Sequence, residues 1–149
     1  MIPAPALFAA CNAIALVAWL ALGVALFAPA ARRWTWRIAG LALPALFAVA
    51  YVGALTTGLA AGGEGGFGSI PAVRALFAND HALTAGWIHY LAFDLIVGAL
   101  ISRDGVAAGL SPFLILPSLA LTFLFGPAGL LLHLVIRTAR GGRLPEALS

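Results

Sequence analysis

The sequence predicts an all-α polytopic membrane protein, a four-transmembrane-helix bundle with a short interfacial helix between spans two and three. Of its 149 residues, 63% are hydrophobic and 9% are charged, a composition far from that of a soluble globular domain. Each of four apolar runs has roughly the 17–25 residues that a helix needs to cross a bilayer. The runs cover about residues 4–28, 38–59, 83–101 and 112–136, and the whole chain, 1–149, is expected to form one integral membrane domain.

Charge and cysteine content argue against several classes of function. All eight basic residues are Arg, and they form no continuous basic face, so nucleic-acid binding is not expected. The single cysteine, Cys11, excludes an internal disulfide. The histidines lack the spacings of zinc sites, so no metal and no other cofactor is predicted. The expected partner is membrane lipid, and the sequence does not decide whether the chain forms a homo-oligomer. The alanine-rich, lysine-free composition favours a bacterial inner membrane.

The first run is expected to remain as a span, because it lacks a positively charged start and exceeds the roughly 7–15 apolar residues of a signal peptide. Its one strongly polar side chain, Asn12, should face another helix. Pro29 should end this helix, and the connecting segment RRWTWR suits the headgroup layer. The second span begins near Ile38, should be kinked by Pro44 and carries Thr56 near its far end.

The loop between spans two and three is rich in glycine, and Glu64 is expected only to solvate it. A short helix over residues 72–77 should then lie in the interface, with Leu76 and Phe77 dipping into the bilayer.

The fourth span contains two prolines. Pro117 lies within it, and Gly126 and Gly129 flank the second proline, Pro127. The backbone should therefore bend or open locally, with neighbouring side chains or water satisfying the freed carbonyl groups. The polar residues 137–149 should form a flexible tail.

The arginine count does not orient a four-span chain. With the N-terminus outside, four arginines lie inside and four lie outside. The first hairpin usually has the greatest weight in insertion, and its connecting segment holds three arginines whereas none precedes span one. We therefore predict that both termini lie outside.

The third span carries polar side chains near its middle, in the stretch WIHYLAFDLIVG. An Asp at a helix centre costs on the order of 2.5–3.5 kcal/mol. Asp94 could fix helix packing, or it could be a desolvated acid able to donate a proton, as buried catalytic carboxylic acids do. His89 could be a general base or could bond to a backbone carbonyl, and Tyr90 could simply pack and hydrogen-bond. Trp87, Tyr90 and Asp94 share a helix face, and His89 lies on another.

Residues equally far from a connecting loop lie at similar depth in two antiparallel helices. This rule puts Asn12 near Thr56 and His133 level with His81. It predicts a crevice that opens toward one membrane surface and ends at a deeper layer around Asp94. At the membrane interface, Arg103 would pair locally with Asp104 or hold a polar end of a ligand. The predicted substrate contacts are Trp87, Asn12, Thr56, Thr122, Arg103 and His133.

The stretch WIHYLAFDLIVGALISRDG, followed by LTFLFGPAGLLLHLVIR, resembles the abscisic-acid-deficient-four-like family of small membrane proteins. The resemblance covers about residues 79–137, and H-Y-x-x-F-D in one span with F-G-P-x-G-L in the next is an unusual pair. Plant members are implicated in forming neoxanthin from violaxanthin. The family motif falls on Trp87, His89, Tyr90, Asp94, Arg103, Asp104, Gly126 and Pro127.

The resemblance implies a protein that modifies a carotenoid or similar isoprenoid lipid, most simply a redox-neutral isomerase. Opening an epoxide to an allene and an alcohol needs an acid for the epoxide oxygen and a base for a nearby C–H proton. Asp94 would be the acid, His89 the base, and Tyr90 would orient them. The alternative is a non-catalytic carotenoid- or lipid-binding membrane protein, and a small transporter subunit is a weaker third reading.

Overall fold

The computed structural model describes residues 2–62 and 65–140, and the elements in this part of the chain are helices. Glu64, which was predicted only to solvate its loop, and residues 141–149 of the predicted flexible tail lie outside the described residues. The start of that tail, residues 137–139, is helical, so the prediction of a flexible tail is wrong there. The prediction of an all-α fold with several apolar helices is confirmed. The helices are α1 (Ala4–Phe27), α2 (Pro29–Arg37), α3 (Leu43–Ala60), α4 (Ile70–Leu76), α5 (Asp80–Ala107), α6 (Pro112–Phe125) and α7 (Pro127–Ala139).

Within residues 2–62 and 65–140, three helices are long and apolar enough to cross a membrane, judged by length and composition. They are α1, α5 and the 32-residue helix Pro29–Ala60, in which a π-helical turn at Ile38–Ala42 joins α2 to α3. The segment RRWTWR is thus helical rather than a loop, because Pro29 sits at the first helical position, where its fixed φ favours a helix start. Pro44 follows the π-helical turn and cannot donate to the carbonyl of Gly40, which explains irregular backbone at this point.

The central helix of the bundle is α5. It packs against α3 on one side and against α1 on another, and α6 and α7 also contact it. Small residues allow the close approach: a methyl group at Gly98 would lie 2.5 Å from the Trp19 ring, and one at Gly58 would lie 2.8 Å from the Ala82 backbone. Such small residues are typical of helix packing in membranes.

The predicted fourth span is not one helix. Gly126, between α6 and α7, has a φ of +48°, a left-handed value that favours glycine. Gly129 of α7 lies directly against Ser118 and Thr122 of α6, although a continuous helix would separate them by roughly 10–17 Å along its axis. The second helix therefore turns back along the first. The prediction of one bent or locally opened span over residues 112–136 is wrong, because Gly126 and Pro127 form a turn that reverses the chain rather than a kink.

The short helix between the second and third long helices is present as α4. The Ser69 hydroxyl accepts a hydrogen bond from the Ala72 N–H at 3.3 Å and so caps its first turn. Leu76 is 6% exposed and packs against Gly65, while Phe77 lies against Gly86 of α5. The prediction that Leu76 dips into the bilayer is wrong, since this side chain fills the interior of the protein.

Candidate functional site

Asp94 lies in α5, directly beside the turn that joins α6 to α7. A side chain at Gly126 would come within 3.0 Å of Asp94 Oδ1, so the carboxyl group touches the backbone of the turn. Its other oxygen, Oδ2, is buried and has no hydrogen-bond partner among the residues described. An unsatisfied buried oxygen is costly, and a ligand that donates or shares a proton would relieve that cost.

Tyr90 lies one helical turn before Asp94 and also reaches the hairpin. Its hydroxyl donates a long hydrogen bond of 3.5 Å to the carbonyl of Phe123. In a continuous α-helix the Phe123 carbonyl would accept a hydrogen bond from the N–H of the residue four positions later. That residue is Pro127, which has no N–H. Asp94, one helical turn further along the same face of α5, lies against the same hairpin at Gly126. The broken helix, the tyrosine and the acid therefore form one polar site.

An aromatic row extends from this site toward the N-terminal end of α5. The Trp87 ring lies 5.4 Å from the Tyr90 ring and 5.6 Å from the Phe8 ring, measured between centroids. The indole Nε1 donates to Asn12 Oδ1 at 3.0 Å. Trp87 is 40% exposed, so the row has an open side. Asn12 of α1 thus lies against the predicted helix face of Trp87, Tyr90 and Asp94.

Replacing Asn12 with Leu is expected to cost about 0.6 kcal/mol, the average for a hydrogen bond between membrane helices, because the Trp87 indole loses its acceptor. Thermal unfolding in detergent measures this loss. The control is Thr56→Val, whose hydroxyl bonds to Val52 O of its own helix at 2.8 Å and is expected to matter less. A larger loss for the control would contradict the contact between α1 and α5.

His89 does not join Asp94. It lies about 140° around α5 from Asp94, as expected for five positions in an α-helix. Its exposed ring contacts Phe93 at 4.6 Å and Tyr51 of α3 at 5.8 Å. The predicted acid and base therefore stand on different faces, and the structure does not assemble them as a pair.

Two predicted contacts on other helices also lie elsewhere. Thr56 is exposed on α3, and α5 separates it from Asn12, so the predicted meeting of these two residues is wrong. Thr122 is completely buried, and its hydroxyl donates to Ser118 O at 2.8 Å. It lies where α6 meets α7, so it packs the hairpin instead of lining a crevice.

His133 lies at the opposite end of α5 from His81, not level with it. Its Nε2 contacts Asp104 Oδ2 at 2.7 Å, and Arg137 Nε donates to the same oxygen at 2.7 Å. Arg103 is exposed one position before this acid. The prediction that His133 lies level with His81 is wrong because α7 runs back toward the C-terminal end of α5. Recognising the Gly126–Pro127 pair as a turn would have placed this cluster.

An apolar groove of about 410 Å³ runs between α1 and α6. Its wall includes Leu20, Phe27 and Leu116, and it extends to Trp19 and Phe123. The Trp19 and Phe123 rings are 5.7 Å apart. Since Tyr90 bonds to the Phe123 carbonyl, the groove ends close to the polar site. In the part of the chain described, no three His, Cys, Asp or Glu side chains are grouped as metal ligands would be.

Comparison with known proteins adds one match. A family model described as ABA DEFICIENT 4-like matches residues 6–133. Neither a curated protein nor a solved structure matches the chain. The matched residues include the aromatic row, Asp94, the turn at Gly126 and α7 as far as His133. The chain therefore belongs to the ABA DEFICIENT 4-like family and is a carotenoid-related membrane protein.

Proposed function

We propose that this protein isomerises a carotenoid or related isoprenoid lipid within the membrane, with Asp94 as its acid–base group. The observation that carries the proposal is the buried Asp94 Oδ2 beside the turn at Gly126, which has no hydrogen-bond partner in the part of the chain that the structure describes. Intramembrane carboxyl groups are costly and are usually retained for a function. The apolar groove between α1 and α6 supports a ligand with a long hydrophobic chain.

A single carboxyl group can carry an epoxide-opening isomerisation. Protonated Asp94 would donate its proton to the epoxide oxygen as the C–O bond breaks, and that bonding pair would stay on oxygen as an alcohol. The Asp94 carboxylate would then take a proton from a nearby carbon, whose C–H pair becomes a new C=C bond. The acid is regenerated and nothing is oxidised or reduced. Tyr90 would position the oxygen, and His89 is not required.

The surroundings of the site support a membrane location for this chemistry. The three long apolar helices would cross the bilayer, and α4 would lie at its surface. Membrane lipid would then surround the outward apolar side chains. The proposed location is a bacterial cytoplasmic membrane, which is what the alanine-rich, lysine-free sequence leads us to expect.

The test is pigment analysis in cells that make epoxycarotenoids and express the wild type, Asp94→Asn or His89→Gln. Asp94→Asn keeps the side-chain size but removes the acid, so we expect conversion to fall by at least about 10²-fold, the usual scale of general acid–base catalysis. His89→Gln should convert pigment as the wild type does. Protein amount and thermal stability are compared in parallel. Undiminished conversion by Asp94→Asn at equal protein level would refute the proposed role.

The groove favours one second candidate, a non-catalytic carotenoid- or lipid-binding protein. Its apolar walls need only shape to hold a polyene chain. In that case unaltered pigment would copurify with the wild type and with Asp94→Asn alike. The visible spectrum of the purified protein would show the bound polyene.

A further inference from the structure

The C-terminal end of α5 is where several other helices begin or end. The arrangement places the C-terminal ends of α1, α5 and α7 together with the N-terminal ends of α2 and α6. Three contacts fix it: Trp36 Nε1 to Ser102 Oγ at 2.9 Å, Arg137 Nε to Asp104 Oδ2 at 2.7 Å, and the Phe27 and Phe113 rings at 5.6 Å.

Arginines concentrate at this same end, which we call the arginine end. Arg74 of α4 lies at the opposite end of the bundle. The other six arginines in the described residues lie at the arginine end. One of them, Arg32, donates hydrogen bonds to the carbonyls of Ala25 and Leu26 at 3.1 and 2.7 Å and so caps α1. The six arginines of the arginine end are Arg32, Arg33, Arg37, Arg103, Arg137 and Arg140.

Four of these six arginines are exposed, namely Arg33, Arg37, Arg103 and Arg140. The guanidinium of Arg37 lies 5.7 Å from the centre of the Trp34 ring, and Trp34 is 63% exposed. Exposed tryptophan beside arginine is typical of the membrane–water interface, and arginines just outside the hydrocarbon attract anionic headgroups.

The hairpin of α6 and α7 is too short to cross. Its helices have 14 and 13 residues, which gives each a length of about 20 Å, less than the roughly 30 Å of hydrocarbon. The tip at Gly126 lies against Asp94, about 15 Å along α5 from Asp104. Irregular backbone at such a depth is tolerated where protein covers it, and here Asp94 and Tyr90 do so.

We propose that the arginine end binds the anionic headgroups of the cytoplasmic leaflet, and that α6 and α7 form a re-entrant hairpin that enters the membrane from this side and returns to it. The C-terminal end of α7 would then be cytoplasmic, opposite to the N-terminus of α1. The described arginines then divide six against one, an excess on the cytoplasmic side that agrees with the positive-inside rule. A crossing fourth span would instead divide the same seven arginines four against three.

This topology also sets the side from which Asp94 is reached. The hairpin covers α5 only as far as its tip. Beyond the tip Leu83 is 51% exposed and Trp87 is 40% exposed. The polar site therefore opens toward the leaflet away from the arginine end.

Thiol labelling tests the topology in a Cys11→Ala background. Single cysteines replace Ser111 before α6, Ala139 at the end of α7 and Gly68 before α4, all exposed positions. With a membrane-impermeant maleimide, Ser111→Cys and Ala139→Cys should react in inverted bacterial membrane vesicles, and Gly68→Cys only in spheroplasts. Labelling of Ala139→Cys from the same side as Gly68→Cys would overturn the re-entrant hairpin. Labelling of Ser111→Cys from outside would overturn the cytoplasmic assignment.

A distance measurement supplements the labelling. Spin labels at Ser111→Cys and Ala139→Cys should lie at the same end of the bundle, whereas labels at Gly68→Cys and Ala139→Cys should be separated by about the length of α5, roughly 40 Å. Equal distances for the two pairs would overturn the hairpin. The pigment assay is not involved, so this result stands apart from the catalytic proposal.

Headgroup binding has its own test. Phosphatidylglycerol should raise the unfolding temperature of the purified protein more than phosphatidylcholine does. Changing Arg33, Arg37, Arg103 and Arg140 together to Gln should abolish that difference, since these four exposed arginines would make the headgroup contacts. A difference that persists undiminished in the variant would overturn binding at the arginine end.

Discussion

Replacing Asp104 with Ala is expected to destabilise the protein by about 3 kcal/mol, near the lower end of the cost of removing one partner from a buried ion pair. Asp104 accepts hydrogen bonds from His133 Nε2 and Arg137 Nε, both at 2.7 Å. His133 is completely buried, and the side chains of Asp104 and Arg137 are each 13% exposed. The substitution takes away the acceptor that these two side chains share, at the point where α7 meets α5.

The midpoint of thermal unfolding in detergent measures this effect. Asp104→Asn keeps one oxygen acceptor and should lie between the wild type and Asp104→Ala. The matched control is Asp80→Ala, which removes an exposed acid from the first turn of the same helix and should cost only about 0.3–1 kcal/mol through the helix dipole. Equal losses for Asp80→Ala and Asp104→Ala would show that the Asp104 cluster does not hold α7 in place.

Hydropathy was enough to predict the three long helices. A chain in hydrocarbon must satisfy its backbone groups within the helix, so a long apolar run strongly indicates one. The ends are less well determined, because hydropathy stops where polar residues begin but the helix need not. Thus α5 begins at Asp80 and ends at Ala107, beyond the predicted limits of residues 83 and 101. The second long helix begins at Pro29 rather than near Ile38.

Hydropathy did not reveal the hairpin, because two short helices folded together are as apolar as one crossing helix. The useful signals were local. Gly126 and Pro127 form a turn-prone pair, and Ser118, Thr122 and Gly129 are small residues that allow two helices to touch. Taking the pair as a kink placed His133 near the wrong end of α5, far from its actual partner Asp104.

The same distinction explains which site predictions agree with the structure. Helical periodicity correctly separated His89 from the face of Trp87, Tyr90 and Asp94, since angles within one helix follow from its geometry. Contacts between helices depend on which helices are neighbours. The prediction that Asn12 lies near Thr56 is wrong because α5 lies between α1 and α3. Helical periodicity does not tell which helices are neighbours.

Gly129→Ala is expected to destabilise the hairpin by about 3 kcal/mol, the upper end of the usual cost of overpacking. The new methyl group would overlap the Ser118 carbonyl oxygen and the Thr122 backbone nitrogen and hydroxyl. Two of these three atoms belong to the backbone and cannot rotate away, so α6 and α7 must separate. Separation would also move the turn at Gly126 relative to Asp94, and we expect pigment conversion to fall together with the unfolding temperature.

Gly53→Ala is the matched control, because it makes the same change in α3, where a methyl group meets open space. Alanine favours a helix over glycine by about 1 kcal/mol, so this variant should be as stable as the wild type or slightly more so. The comparison separates overlap at the hairpin from any general effect of alanine on a membrane helix. If both variants unfold at the wild-type temperature, α6 and α7 do not pack through Gly129. If Gly129→Ala is destabilised but converts pigment normally, the position of the hairpin tip does not control the chemistry at Asp94.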